Sequence, residues 1–244
     1  MPVKTSTVAL LCAIFVSFAL WAAWGWSPDD FGYLHDDSLY LSAGRSIVQG
    51  EGYRFPSLPV DVGRTKYPLG YLFLLSLVWK VGPDFPDVLS WEFALHILVG
   101  WCFLSAAYVL FRQLAWGRRG ALALTAVCAF HPGLMDVTRF ALSDLPFMAL
   151  ALGSAVAVER ALRNGESRVW TSRWWALATA LAVAAVLTRS IAVTVIAGIF
   201  LVAAWRRALR PALVYAAVGA IVVVAAWVSK GPVLSTESGY HGFA

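Results

Sequence analysis

The feature that most limits how this chain can fold is a series of long apolar runs with little charge. The first run, residues 7–26, would span about 30 Å as an α-helix, which matches the hydrocarbon core of a bilayer. Only 14% of the residues are charged, against about 25% in a typical soluble domain. The sequence therefore predicts an all-α membrane protein with about seven transmembrane helices. The predicted spans are residues 7–26, 88–111, 120–135, 140–158, 174–188, 190–205 and 212–229.

The distribution of Lys and Arg predicts how these spans are oriented. If all seven runs cross, the N-terminus and the loops 112–119, 159–173 and 206–211 share one side, with more than half of the 19 cations. Lys and Arg near helix ends favour the cytoplasmic side. We therefore predict a multi-pass protein of the plasma (inner) membrane with a cytoplasmic N-terminus. No basic run could track nucleic acid, so we expect no nucleic-acid partner.

The long predicted external loop, residues 27–87, is expected to carry two short interfacial helices. Residues 37–49 place apolar side chains on one face of a helix. Residues 68–79 would extend only about 18 Å, which is too short to cross, and Pro68 suits the first turn of a helix. We predict that both helices lie at the outer interface, and that residues 1–244 form a single transmembrane module.

Two adjacent acids, Asp36 and Asp37, follow the first span closely on the predicted external side. One of them would act as a general base that takes a proton from an acceptor hydroxyl. The alternative is that they cap the N-terminus of a helix, where Asp is favoured. The two roles are compatible, because a helix N-terminus keeps a carboxylate ionised.

Basic residues on the same predicted side are candidates for binding a lipid phosphate. Lys66, flanked by Arg64 and Tyr67, lies where the loop returns to the interface and would contact a phosphate as a point charge. The alternative for Lys66 is snorkelling to ordinary headgroups. Arg189 stands alone between two apolar runs and is either a headgroup contact or a phosphate ligand. We predict that all four residues belong to a substrate-binding site.

The predicted external turn 131–144 adds His131, Arg139 and Asp144 to this site. Ionisable groups at a membrane edge are costly and usually face a cavity or a partner. The alternative is an Arg139–Asp144 ion pair that only orders the turn. Glu92 and His96 lie one helical turn apart in the second span, and we expect them to pair structurally.

A metal site built from His35, Asp36, Asp37 and His131 is conceivable, with a divalent ion held by oxygens as its form. The spacing of these residues matches no standard ligand motif. The sequence therefore favours a site without a metal or another cofactor.

Four segments follow one another on the predicted external side, within residues 29–147. They are His35-Asp36-Asp37-Ser38-Leu39-Tyr40, Gly50-Glu51-Gly52-Tyr53, Lys66-Tyr67-Pro68-Leu69-Gly70 and Leu142-Ser143-Asp144-Leu145-Pro146-Phe147. Their order after a first span resembles the GT-C superfamily of membrane glycosyltransferases. The likeness is to the branch that contains the protein O-mannosyltransferases and aminoarabinose transferases. Members of that family usually run to about twice this length, so we expect this chain to lack the C-terminal part.

The resemblance implies a transfer of sugar from a polyprenyl-phosphate donor to a glycan, lipid or protein acceptor. It places the catalytic acid of the family on Asp36 and the second acid on Asp37. It also places the family's lysine on Lys66, although Tyr67 replaces the first proline of that motif. The acid of the second external loop falls on Asp144, with Arg139 before it. The implied chemistry takes place at the external membrane face.

Two other functions stay open from the sequence. One is a transporter or flippase of lipid-linked glycans, which would place its acids near the bilayer midplane between broken helices. The other is a non-catalytic subunit of a membrane assembly. The predicted clustering of acids at one membrane edge favours the glycosyltransferase.

Overall fold

The computed structural model describes residues 5–54, 67–114, 116–165 and 172–229, and the regular structure in these ranges is entirely helical. The all-α class predicted from the sequence is therefore confirmed for these residues. A short 3₁₀ turn, Pro28–Asp30, precedes the second helix. The helices are α1 (Thr5–Trp24), α2 (His35–Val48), α3 (Leu69–Val81), α4 (Asp87–Gln113), α5 (Arg118–Ala129), α6 (Pro132–Arg139), α7 (Asp144–Arg163), α8 (Arg173–Thr188), α9 (Ala192–Trp205) and α10 (Leu209–Ser229).

Three of these helices, α1, α4 and α7, are long and apolar enough to cross a membrane. A fourth span is available if α5 and α6, which meet at an angle of 53°, are counted together. The other predicted spans correspond to α8, α9 and α10, which have 16, 14 and 21 residues. The number of seven spans therefore stays a prediction, as does the orientation in the membrane.

The break between α5 and α6 divides the predicted span 120–135 into two helices. Pro132 is the first residue of α6, and a proline there cannot donate the backbone hydrogen bond that would continue α5. The start predicted at residue 140 for the next span also shifts, because α7 begins at Asp144. Pro146 then falls in the first turn of α7, where proline is tolerated.

The helices α2 and α3 occupy the positions predicted for short helices in the loop 27–87. They pack closely, since a Cβ added at Gly44 would lie 2.9 Å from the Leu75 Cβ atom. The Trp79 indole Nε1–H also donates to the Leu41 carbonyl oxygen at 2.8 Å. Both helices therefore form one packed unit. Their depth relative to a bilayer stays a prediction.

The helices bring the arginine-rich loops to one end of the bundle. Glu159, near the end of α7, accepts a hydrogen bond from Arg206 after α9 at 2.8 Å. Gln113, at the end of α4, donates to the Val156 carbonyl oxygen of α7 at 3.2 Å. We call this the arginine end. The opposite end, about 30 Å away along α7, holds Asp144, and we call it the site end.

Candidate functional site

Asp36 lies in the first turn of α2 at the site end and accepts a hydrogen bond from the Tyr67 hydroxyl at its Oδ1 atom. The N-cap of α2 is Leu34, which makes no side-chain capping bond. Neither aspartate is therefore the N-cap residue of α2, and the alternative that they cap this helix is wrong.

Asp37 has different surroundings, because its side chain is buried. The backbone N–H of Gly32 donates to Asp37 Oδ2 at 3.0 Å, and this bond anchors the chain that precedes α2. Burial raises the pKa of the Asp37 carboxyl above its ordinary value, while N–H donors from Gly32 and Ser38 oppose that rise. The two neighbouring carboxyls thus have separate roles available: Asp37 orders the loop, and Asp36 faces Tyr67.

Asp144 and Arg189 form an ion pair that joins the start of α7 to the end of α8. Their side chains are 39% and 36% exposed, so the pair is accessible to water. Arg189 is the C-cap residue of α8. The Arg139–Asp144 ion pair given as an alternative from the sequence is therefore wrong, because Asp144 pairs with Arg189 instead.

Tyr40 connects Asp36 with the Asp144–Arg189 ion pair. Its hydroxyl is hydrogen-bonded to Ser143 Oγ at 2.9 Å, and its ring lies edge-on to Tyr67 with the centroids 4.8 Å apart. Burial is the main reason that the pKa of the Tyr40 hydroxyl is raised. The hydrogen bond with Ser143 and the positive charge of Arg189 oppose this rise. The negative charges of Asp36 and Asp144 add to it. The charges of α2, α7 and α8 therefore act on one buried hydroxyl.

A close contact between α3 and α8 explains why these groups converge. A Cβ added at Gly70 would lie 2.7 Å from the backbone oxygen of Leu187. Only a residue without a side chain permits this approach of the two backbones. Gly70 and Leu187 thereby bring the chain that carries Tyr67 close to the chain that carries Arg189.

Arg139 lies in a different part of the site end. Its guanidinium donates to the carbonyl oxygens of Trp21 at 3.2 Å and Ala22 at 3.3 Å, near the C-terminus of α1. A cation there satisfies exposed helix carbonyls and complements the dipole. Arg139 also lines a small cleft with Asp37 and Glu92. Its predicted contact with substrate stays a prediction.

His131 is exposed and caps α6, with its Nδ1 atom accepting from the Gly133 N–H at 3.1 Å. Arg64 and Lys66 lie outside the described residues, as does the side chain of His35. Among the part of the chain that the structure describes, no group of three His, Cys, Asp or Glu side chains could hold a metal ion. Because the conceivable metal site includes His35, it stays a hypothesis.

Glu92 and His96 pair as predicted, with His96 Nε2 at 3.2 Å from Glu92 Oε1. The Tyr71 hydroxyl adds a hydrogen bond to His96 Nε2 at 3.0 Å, and His96 Nδ1 lies 3.3 Å from the Thr138 carbonyl oxygen. All of these side chains are buried. The network ties α3, α4 and α6 together behind the site.

Sequence reasoning missed Tyr40 and Ser143 as residues of the site. Tyr40 follows Asp36 by one helical turn, so the spacing alone places both on one face of α2. Ser143 directly precedes Asp144, but its contact with Tyr40 depends on how α2 packs against α7. No known protein family, curated protein or solved structure matches the chain.

Proposed function

We propose that this chain is a membrane glycosyltransferase, which moves a sugar from a polyprenyl-phosphate donor to a glycan, lipid or protein acceptor. The observation that carries the proposal is a chain of contacts from the Asp36 carboxylate through Tyr67 and Tyr40 to Ser143, which directly precedes Asp144 and its ion pair with Arg189. A base and a cation are the two groups that this reaction requires. The order of motifs, which resembles that of the GT-C superfamily, supports the same class of substrate.

The proposed reaction is a direct displacement at the anomeric carbon. The acceptor oxygen forms a bond to that carbon, and the bond from carbon to the phosphate oxygen breaks. The electron pair goes to the phosphate, which leaves as polyprenyl phosphate, and the acceptor proton goes to Asp36. A single displacement inverts the configuration of the sugar.

Tyr67 has a positioning role in this proposal. Its hydroxyl donates to Asp36 Oδ1, and its side chain is buried at the start of α3. A donor fixed in this way sets the orientation of the carboxylate. The Asp36 carboxylate would then meet the acceptor hydroxyl in a defined geometry.

Arg189 supplies the cation for the leaving phosphate. Asp144 holds the guanidinium at Nη1. A guanidinium carries five N–H donors, so Arg189 can contact a phosphate without losing Asp144. The exposure of the pair lets a lipid headgroup reach it. Lys66, Arg64, Arg139 and His131 stay predicted contacts to the donor or acceptor, and the proposal assigns no cofactor.

Replacing Asp36 by Asn tests the proposal directly. The full chain would be reconstituted in vesicles with a panel of labelled polyprenyl-phosphate sugars and a membrane extract as the source of acceptor. We expect release of polyprenyl phosphate to fall by roughly 10²–10⁴-fold, the usual contribution of a general base. Donor binding should be retained, because Asn preserves the shape of the side chain.

The matched control is Asp29→Asn, an exposed acid in the 3₁₀ turn before α2. It should transfer sugar at the rate of the unmodified chain. Unchanged transfer by the Asp36→Asn variant would overturn the proposal. Lipid movement across the vesicle without release of polyprenyl phosphate would instead identify a flippase. If neither the unmodified chain nor any variant transfers sugar or moves lipid, the result would favour a non-catalytic assembly subunit.

A further inference from the structure

We infer that the arginine end carries a binding site for a phosphate-bearing anionic phospholipid, formed by Arg160, Arg173 and Trp174. The guanidinium carbon of Arg160 lies 5.0 Å from the centroid of the Trp174 ring, and that of Arg173 lies 5.2 Å from it. The two cations are thus within about 10 Å of each other, roughly one Debye length at 0.1 M salt. Both side chains are exposed.

Within the part of the chain that the structure describes, the charges around this pair leave a place for an anion. Glu159 is the one acid at the arginine end in the described ranges, and both of its oxygens are already used. Its Oε1 atom accepts from Arg163 at 2.7 Å, and its Oε2 atom accepts from Arg206 at 2.8 Å. Among the described residues, neither Arg160 nor Arg173 forms an ion pair. A bound anion would neutralise the repulsion between them.

Exposed tryptophans at the same end indicate a lipid as the source of that anion. Two further tryptophans lie at the same end: Trp205 is 85% exposed and Trp116 is 51% exposed. Exposed Trp side chains at the ends of apolar helices are typical of the headgroup region. Lipid phosphate is the abundant anion in the headgroup region, and the planar fork of arginine suits its oxygens.

The test is native mass spectrometry of the purified full chain in detergent, titrated separately with phosphatidylglycerol, phosphatidylcholine and inorganic phosphate. We expect one saturable phosphatidylglycerol site that binds at least 10-fold more tightly than phosphatidylcholine. The double variant R160Q/R173Q should weaken that site at least 10-fold. The matched control is R112Q/R118Q, which removes the same charge from exposed residues at the same end.

Each other outcome would overturn the inference. An equal loss of binding in both double variants would show diffuse attraction to the basic surface. Equal affinity for the two lipids would show that charge is not recognised. Competition by inorganic phosphate at matched concentration would show a site for a soluble anion. If R160Q/R173Q does not give a monodisperse helical protein, the single variants R160Q and R173Q decide, each with a smaller loss expected.

Discussion

The two ends of α7 each hold an ion pair, but the pairs differ in burial and in number of partners. At the arginine end Glu159 is only 8% exposed and is bound by two arginines, Arg163 and Arg206. At the site end Asp144 is bound by Arg189, and each side chain is more than a third exposed. Both pairs join α7 to a neighbouring part of the chain.

This difference separates a pair whose acceptors are fully used within the fold from a pair that can bind a ligand. A buried carboxylate with both oxygens occupied has nothing left for a substrate. An exposed ion pair contributes about 0–1 kcal/mol to stability, because water already solvates both groups. The Asp144–Arg189 pair can therefore exchange contacts with a phosphate at little cost to folding.

Among changes to the two ion pairs, the largest effect is expected from Arg189→Gln at the site end. Losing the cation that faces the leaving phosphate should lower sugar transfer roughly 10²-fold, as removal of one electrostatic stabiliser typically does. The free energy of unfolding should change by less than about 1 kcal/mol. Transfer kinetics in vesicles and thermal unfolding in detergent measure the two quantities on the same preparation.

The control for this prediction is Arg119→Gln, an exposed arginine at the start of α5 on the other end of the bundle. It changes the net charge by the same amount, so transfer should stay at the rate of the unmodified chain. If Arg189→Gln transferred sugar normally, the site-end pair would be structural, and the contrast between the two ends would fail.

Glu159→Gln should have a smaller effect, and this effect should fall on stability rather than on sugar transfer. Gln keeps the size of the side chain but removes the charge that holds Arg163 and Arg206. Because both arginines are partly solvated, we expect a loss of only about 1 kcal/mol in stability. That corresponds to a fall of roughly 2–4 °C in the unfolding midpoint for a chain of this size. Sugar transfer should not change, and a large loss of transfer would contradict the division of roles.

The helices were largely predictable from the sequence, because apolar runs and their charged borders are local properties. The sequence predicted helices in all seven apolar runs and two more in the loop 27–87. The break at Pro132 was missed, because the predicted span 120–135 ran through this proline, although proline commonly ends the preceding helix. Whether the short helices α8 and α9 cross a membrane depends on their surroundings, which composition does not specify.

The contacts of the site were less predictable, because they depend on packing between distant helices. The sequence singled out Asp36, Tyr67, Asp144 and Arg189 separately. It did not predict that Tyr67 binds Asp36 or that Arg189 binds Asp144, since each pair is joined only when α3 packs on α2 and α8. The predicted roles of Arg139 and His131 overlooked local uses as helix caps.

The smallest expected effect is that of Asp37→Asn at the site end, which should make the stability of the protein depend less on pH. Burial raises the pKa of the Asp37 carboxyl above its ordinary value of 3.8, so the folded chain holds this proton more tightly than the unfolded chain. The contribution of Asp37 to stability is therefore fully present below pH 3.8 and is lost as the pH rises through the folded pKa.

Asn keeps an oxygen that can accept from the Gly32 N–H, but it does not ionise. Just above pH 3.8, the unfolding temperature of the Asp37→Asn variant should therefore depend less on pH than that of the unmodified chain. The variant's higher unfolding temperature should differ most from that of the unmodified chain near neutral pH. Thermal unfolding of both proteins in detergent at a series of pH values measures this difference. Parallel pH profiles would show that the Asp37 carboxyl is not desolvated, and that the two neighbouring aspartates share one environment.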